Sequence, residues 1–190
     1  MTQEEFLAEV AKHLETAGIP FMVVGSVSSG FHGQPRATND VDIVIDPTLA
    51  QLDHWLTLLG KEYYFDAGGA RDALRRRSMF NIIIFSEGMK ADLIVRKDRP
   101  FSVEEMSRRT NEDLAGYMLP IATAEDAILT KLEWNLITPS ERQVQDALNV
   151  AVAQWASLDQ AYMRKWAPSL GVTGPLDEVL RAAEKAQRAP

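Results

Sequence analysis

The sequence contains no cysteine. Disulfides, cysteine nucleophiles, iron–sulfur clusters and zinc ribbons are excluded together. Only three histidines occur, His13, His32 and His54, and none stands at metal-ligand spacing from another. No apolar run reaches the ~18 residues of a membrane span, so no membrane partner is expected. The opening Met1-Thr2-Gln3-Glu4-Glu5 is acidic, the wrong sign for a secretory leader. With the missing cysteines, this predicts a cytoplasmic protein. There is no Walker A string, which argues against a P-loop enzyme. Positive charge is also short: 20 Lys and Arg face 27 Asp and Glu, a formal charge of −7. That balance disfavours passive coating of nucleic acid and leaves room for a local basic cleft. What is present is ordinary for a folded chain. An apolar share of 46% and a charged share of 25% over 190 residues provide for a core and argue against disorder.

Residues 2–17 predict an amphipathic helix, with Phe6, Leu7, Val10, Ala11 and Leu14 at helical spacing. Thr2 and Glu5 form a capping box, and Gly18 and Pro20 stop the helix. Phe21 to Val24 is a short apolar run closed by Gly25, read as a buried strand. Residues 26–33 are small and polar, a short helix or loop. Further strands are predicted at 41–45, 79–85 and 90–95, with a helix marked by Leu49, Leu52, Trp55, Leu56 and Leu59. The order predicts an α/β fold with a mixed sheet flanked by helices. The pattern turns helical near Pro120, with helices at 124–133, 140–155, 159–168 and 175–187. Two parts are expected: an α/β domain over 1–119 and a C-terminal helical region over 120–190.

The chemistry is concentrated in Val23-Val24-Gly25-Ser26 and, thirteen residues later, Asp40-Val41-Asp42-Ile43-Val44-Ile45. On a strand, residues two apart share a face. Asp40 and Asp42 therefore project together, roughly 7 Å apart, while Val41, Ile43 and Ile45 point into core. Such a pair repels itself unless a cation neutralises it. Mg²⁺ suits oxygen ligands of this kind and takes substrate phosphates as further ligands. Asp92, set among Ala91, Leu93 and Val95, is a third carboxylate in an apolar strand, costly unless satisfied. The bland alternative for an isolated Asp-x-Asp is a solvent-facing strand end. Gly25-Ser26 upstream and Asp92 downstream weigh against it.

Gly25-Ser26, Asp40-x-Asp42 and a lone Asp92 on a later strand resemble the DNA polymerase β-type nucleotidyltransferase superfamily. Arg36-x-Thr38-x-Asp40-x-Asp42 is similar to its bacterial branch of AbiEii-type toxins and small aminoglycoside nucleotidyltransferases. Pro120, Glu125-Asp126, Lys131-Leu132, Arg142 and Asp146 resemble the AbiEii-type helical pattern. The likeness spans about residues 20–150. It implies the minimal nucleotidyltransferase fold with a C-terminal helical part. It also implies transfer of NMP from an NTP to an acceptor hydroxyl with Mg²⁺ or Mn²⁺. Asp40, Asp42 and Asp92 would be the catalytic and metal-holding residues. Gly25, Ser26, Arg36, Thr38 and Lys131 would contact the nucleotide, with Arg142 and Asp146 as accessories. A toxin-like protein would modify RNA and have an antitoxin partner; the drug-modifying relatives would imply a small-molecule acceptor. A non-catalytic nucleotide-binding or regulatory module of the same fold is the other class, and three clustered carboxylates argue against it.

Several residues admit plainer readings. Lys131 has the general character of a surface lysine. Arg142 and Asp146 are four apart and suit a helix-surface ion pair. Arg71, Arg75, Arg76 and Arg77, with Arg96, Lys97 and Arg99, form either a solvated face or a basic rim. Trp155, Tyr162 and Trp166 predict core of the helical part.

Overall fold

The computed structural model describes residues 1–36, 38 and 40–188. They divide into two compact units, residues 1–24 with 37–121, and residues 25–36 with 122–190.

The first unit is a sheet with helices. α1 (Gln3–Thr16) carries the expected capping box: Thr2 Oγ1 accepts from the Glu5 N–H, and Glu5 reaches back to the Thr2 N–H. Its apolar stripe, Phe6, Leu7, Val10, Ala11 and Leu14, is buried. The strands are β1 (Phe21–Val24), β2 (Asp40–Ile45), β3 (Met79–Ile84), β4 (Met89–Val95), β5 (Thr110–Leu114) and β6 (Tyr117–Ile121). They lie in the order β3-β4-β2-β1-β6-β5. β2 runs parallel to β4 and β1 parallel to β6, whereas β1–β2, β3–β4 and β5–β6 are antiparallel, so the sheet is mixed as expected. Val41, Ile43, Ile45, Ala91, Leu93 and Val95 share one face and are buried. α3 (Leu49–Leu58) adds Leu52 and Trp55 to the core.

Four elements of this unit are absent from the sequence reading. α4 (Ala67–Arg76) contains Gly68-Gly69, which lowers helix propensity, yet Asp66 caps it and Ala70 and Ala73 are buried. α5 (Pro100–Arg108) starts on a proline at its first helical position. β5 is polar on both faces and lies at the sheet edge. β6 contains Pro120, which argues against an interior strand. The conflict is met by pairing: β6 meets β1 at a single residue pair that needs no donor from Pro120, and the strand is entered through a tight turn, with Ala115 and Gly116 at φ of +53° and +90°. The turn folds β6 onto β5, and the pair with β1 is Val23 opposite Ile121.

The second unit is helical: α2 (Gly25–His32), α6 (Ala124–Ile137), α7 (Glu141–Ala153), α8 (Gln160–Leu170) and α9 (Thr173–Gln187). α2 consists mostly of small residues and packs against α6 and α7. At Gly33, just past its end, an added Cβ would stand 2.9 Å from the Val150 backbone nitrogen and 3.0 Å from the Ser29 carbonyl oxygen. Only glycine permits that approach. α6 is capped by Thr123, and Asp126 beneath the cap accepts from the Tyr162 hydroxyl at 2.6 Å. Tyr162 is thus core with a satisfied hydroxyl, while Trp155 and Trp166 are only half-buried. α8 continues through Pro168 until Gly171 closes it at a φ of +73°.

Candidate active site

The carboxylates are placed by strand register. In the parallel β2–β4 pair, Asp42 stands opposite Asp92 and Asp40 opposite Lys90. Paired residues point to the same side of a sheet. Asp40, Asp42, Lys90 and Asp92 therefore occupy one face, and the apolar residues between them fill the other. β4 lies beside β2, as the three-carboxylate reading requires. Asp40 is exposed, and Asp42 and Asp92 are half-buried.

Lys90 is the residue that sequence reasoning passed over. Its Nζ lies 3.0 Å from Asp92 Oδ2 and 3.6 Å from Asp40 Oδ2. Burial works to lower its pKa. The hydrogen bond to Asp92 and the charges of Asp92 and Asp40 outweigh burial, and the ammonium is held above the usual lysine value. The signal was available: Lys90 sits two residues before Asp92, so it shares that face by strand alternation alone.

The entry to β2 is tied down within the same unit. The Thr38 hydroxyl donates to the Asp40 carbonyl at 3.2 Å and accepts from the Asp40 N–H at 3.3 Å. Gln3, at the start of α1, donates to the carbonyls of Thr38 and Asp40 at 2.8 and 3.4 Å. Thr38 thereby sets the backbone that carries Asp40.

Carboxylate oxygens are the right donors for a hard divalent cation, and the register brings three to one face. Among the described residues, however, no three His, Asp or Glu side chains converge as a cation cage. Lys90 engages two of the three carboxylates instead. The donor set fits the ion in chemistry and in backbone placement. The side-chain positions are those of an acid face partly neutralised by an ammonium.

In the helical unit Ser26, Arg36, Lys131 and Asp146 form one network. Gly25, which follows Val24 directly, has a φ of +65°, a left-handed backbone suited to glycine. Ser26 Oγ accepts from Arg36 Nη2. The same Arg36 nitrogen lies 3.5 Å from Asp146 Oδ2, and Lys131 Nζ lies 2.8 Å from that oxygen. Lys131 and Asp146 are both buried. Lys131 is therefore not the surface lysine of the plain reading, and the partners of Asp146 are Lys131 and Arg36. Arg142 is exposed. Within the arginine run, Arg71 pairs with Asp53, Arg75 with Asp72, and Arg77 and Arg96 both with Asp46.

The six-stranded mixed sheet with its helices is an α/β fold of the nucleotidyltransferase type. Solved structures bear this out over nearly the whole chain. One neighbour is an antigenic nucleotidyltransferase-like protein from Paracoccidioides brasiliensis, with a TM-score of 0.57 and 14% identity over 94% of this chain and 91% of that one. Another is ANT(2″)-Ia in complex with adenylyl-2″-tobramycin, with a TM-score of 0.56 and 14% identity over 100% of both chains. The same antibiotic-resistance factor in solution matches with a TM-score of 0.51 and 12% identity over 98% of this chain and 91% of that one. No protein-family model and no curated protein sequence matches. At these identities the likeness is one of fold. Among the described residues, no helix is long and apolar enough to cross a membrane.

Proposed function

We propose that this protein is a nucleotidyltransferase that moves NMP from an NTP to an acceptor hydroxyl. The observation that carries the reading is the register of Asp42 with Asp92, and of Asp40 on the same face, within a nucleotidyltransferase fold. Asp40, Asp42 and Asp92 would hold Mg²⁺ or Mn²⁺, which when bound supplies positive charge to the reacting phosphate. The acceptor oxygen bonds to the α-phosphorus, the bond from that phosphorus to the β-phosphate bridging oxygen breaks, and pyrophosphate leaves. Asp92 is the proposed acceptor of the hydroxyl proton. The chain's task is positioning and charge stabilisation.

The proposed nucleotide contacts are Gly25, Ser26, Arg36, Thr38 and Lys131. Of the two cations, Arg36 is the more accessible. Arg142 and Asp146 remain accessory. Two acceptor classes are proposed. A small-molecule hydroxyl is supported by the end-to-end match to ANT(2″)-Ia. An RNA end, with toxin activity and an antitoxin partner, is supported by the AbiEii-like Arg36-x-Thr38-x-Asp40-x-Asp42 string. The test is incubation with each α-labelled NTP and Mg²⁺ or Mn²⁺, beside total RNA or a panel of aminoglycosides. Label on an aminoglycoside supports the first class and label on RNA the second. No label on either, with NTP bound, points to a binding or regulatory module.

A further inference from the structure

The ammonium of Lys90 lies against two of the three carboxylates that a divalent cation would use, Asp40 and Asp92. It arrives there from the backbone: Lys90 is opposite Asp40 in the β2–β4 pair and two residues from Asp92 on its own strand. Its side chain is one-third exposed. A lysine on a four-carbon stem with that exposure can leave for solvent without moving its strand. Three carboxylates on one face repel one another, and one ammonium removes a single unit of that charge. A divalent cation removes two and draws on the same oxygens.

We propose that Lys90 is the built-in counter-ion of the carboxylate face and competes with the divalent cation for Asp40 and Asp92. This rests on the reading of those residues as a cation site. The competition has a consequence for substrate order. A cation alone must displace the ammonium and leave it beside a doubly charged ion. An NTP brings phosphates that can take up the displaced ammonium. Cation affinity is therefore low without nucleotide and rises with it, and Lys90 is the residue that couples the two. It is a positioning residue, since it acts through the carboxylates.

The experiment is Mn²⁺ titration of the full chain, stripped with EDTA, read by calorimetry and by the electron-spin signal of free Mn²⁺. Wild type, Lys90→Met, Lys90→Arg and Asp42→Asn are compared, each with and without a non-hydrolysable NTP. Lys90→Met is expected to bind Mn²⁺ at least about tenfold more tightly without nucleotide, since a unit charge a few ångströms away is worth that much even under strong screening. The gain on adding NTP should shrink in that variant, and Lys90→Arg should resemble wild type. Unchanged Mn²⁺ affinity in Lys90→Met, with affinity lost in Asp42→Asn, would overturn the counter-ion role and leave the transferase reading standing. No Mn²⁺ binding by wild type or by Lys90→Met, with or without NTP, would overturn both. Should Lys90→Met fail to fold, Lys90→Gln carries the same expectation.

Discussion

At the scale of single residues, the carboxylates and the buried lysine lead to opposite expectations. Asp42 is half-buried on a face of like charge. Asp42→Asn keeps its shape and relieves repulsion. The melting temperature without metal should therefore hold or rise slightly, while NMP transfer falls by orders of magnitude. A destabilised variant with near-normal activity per folded molecule would make Asp42 structural. Asp146 is a different case. It satisfies Lys131 in the interior of the helical unit. Asp146→Ala leaves a buried ammonium unpaired, a loss of about 3–5 kcal/mol. The double variant Lys131→Met/Asp146→Leu removes both charges and should recover much of that loss. Urea denaturation of the two variants checks this, and equal destabilisation would contradict the pairing.

At the scale of elements, the end of α2 depends on a glycine in a way that the start of α9 does not. Gly33→Ala drives a methyl group toward the Val150 nitrogen and the Ser29 carbonyl, backbone atoms that cannot rotate away. Overpacking of this kind costs about 1–3 kcal/mol. Gly174→Ala, in the first turn of α9, meets nothing within 4 Å. Pro175 follows it and disfavours helical backbone for a residue with a Cβ, so the change should cost something, but less than Gly33→Ala. Thermal denaturation of both variants separates a glycine needed for packing from one that is not. The same contrast explains which elements were readable. α1 and α3 have capping boxes and apolar stripes. α4 holds its place by an aspartate cap and two buried alanines despite its glycine pair. β5 has no apolar face and is stabilised by its partner strand alone.

At the scale of the whole molecule, alkaline pH tests two contacts at once. Burial pushes the Tyr63 hydroxyl up, and its 2.8 Å hydrogen bond to Glu9 adds to the shift. Both Tyr63 and Lys90 have folded-state values above their unfolded ones. Their contributions are whole below about pH 10, the ordinary range for these groups. They are lost as pH rises through the folded values. Stability should thus fall on the alkaline side. In an absorbance titration, Tyr63→Phe should remove a tyrosine that ionises above the ordinary range. Amplitude lost within the ordinary range instead would contradict it.

The sequence by itself determined the alternating carboxylates and core residues of β2 and β4, because strand period is a local property. The strands β1 to β4, the capped α1 and the helices that follow Thr123 were legible for the same reason: each is marked by residues within a few positions of one another. It took the folded chain to show that Asp42 stands opposite Asp92, that Lys90 reaches across to Asp40, and that Lys131 is paired with Asp146 inside the helical unit. These depend on which strands and helices become neighbours, and non-local pairing leaves no period in the chain. The β5–β6 hairpin was hidden for a related reason. Its turn lies on Ala115-Gly116, and Pro120 is tolerated because of what lies beside it.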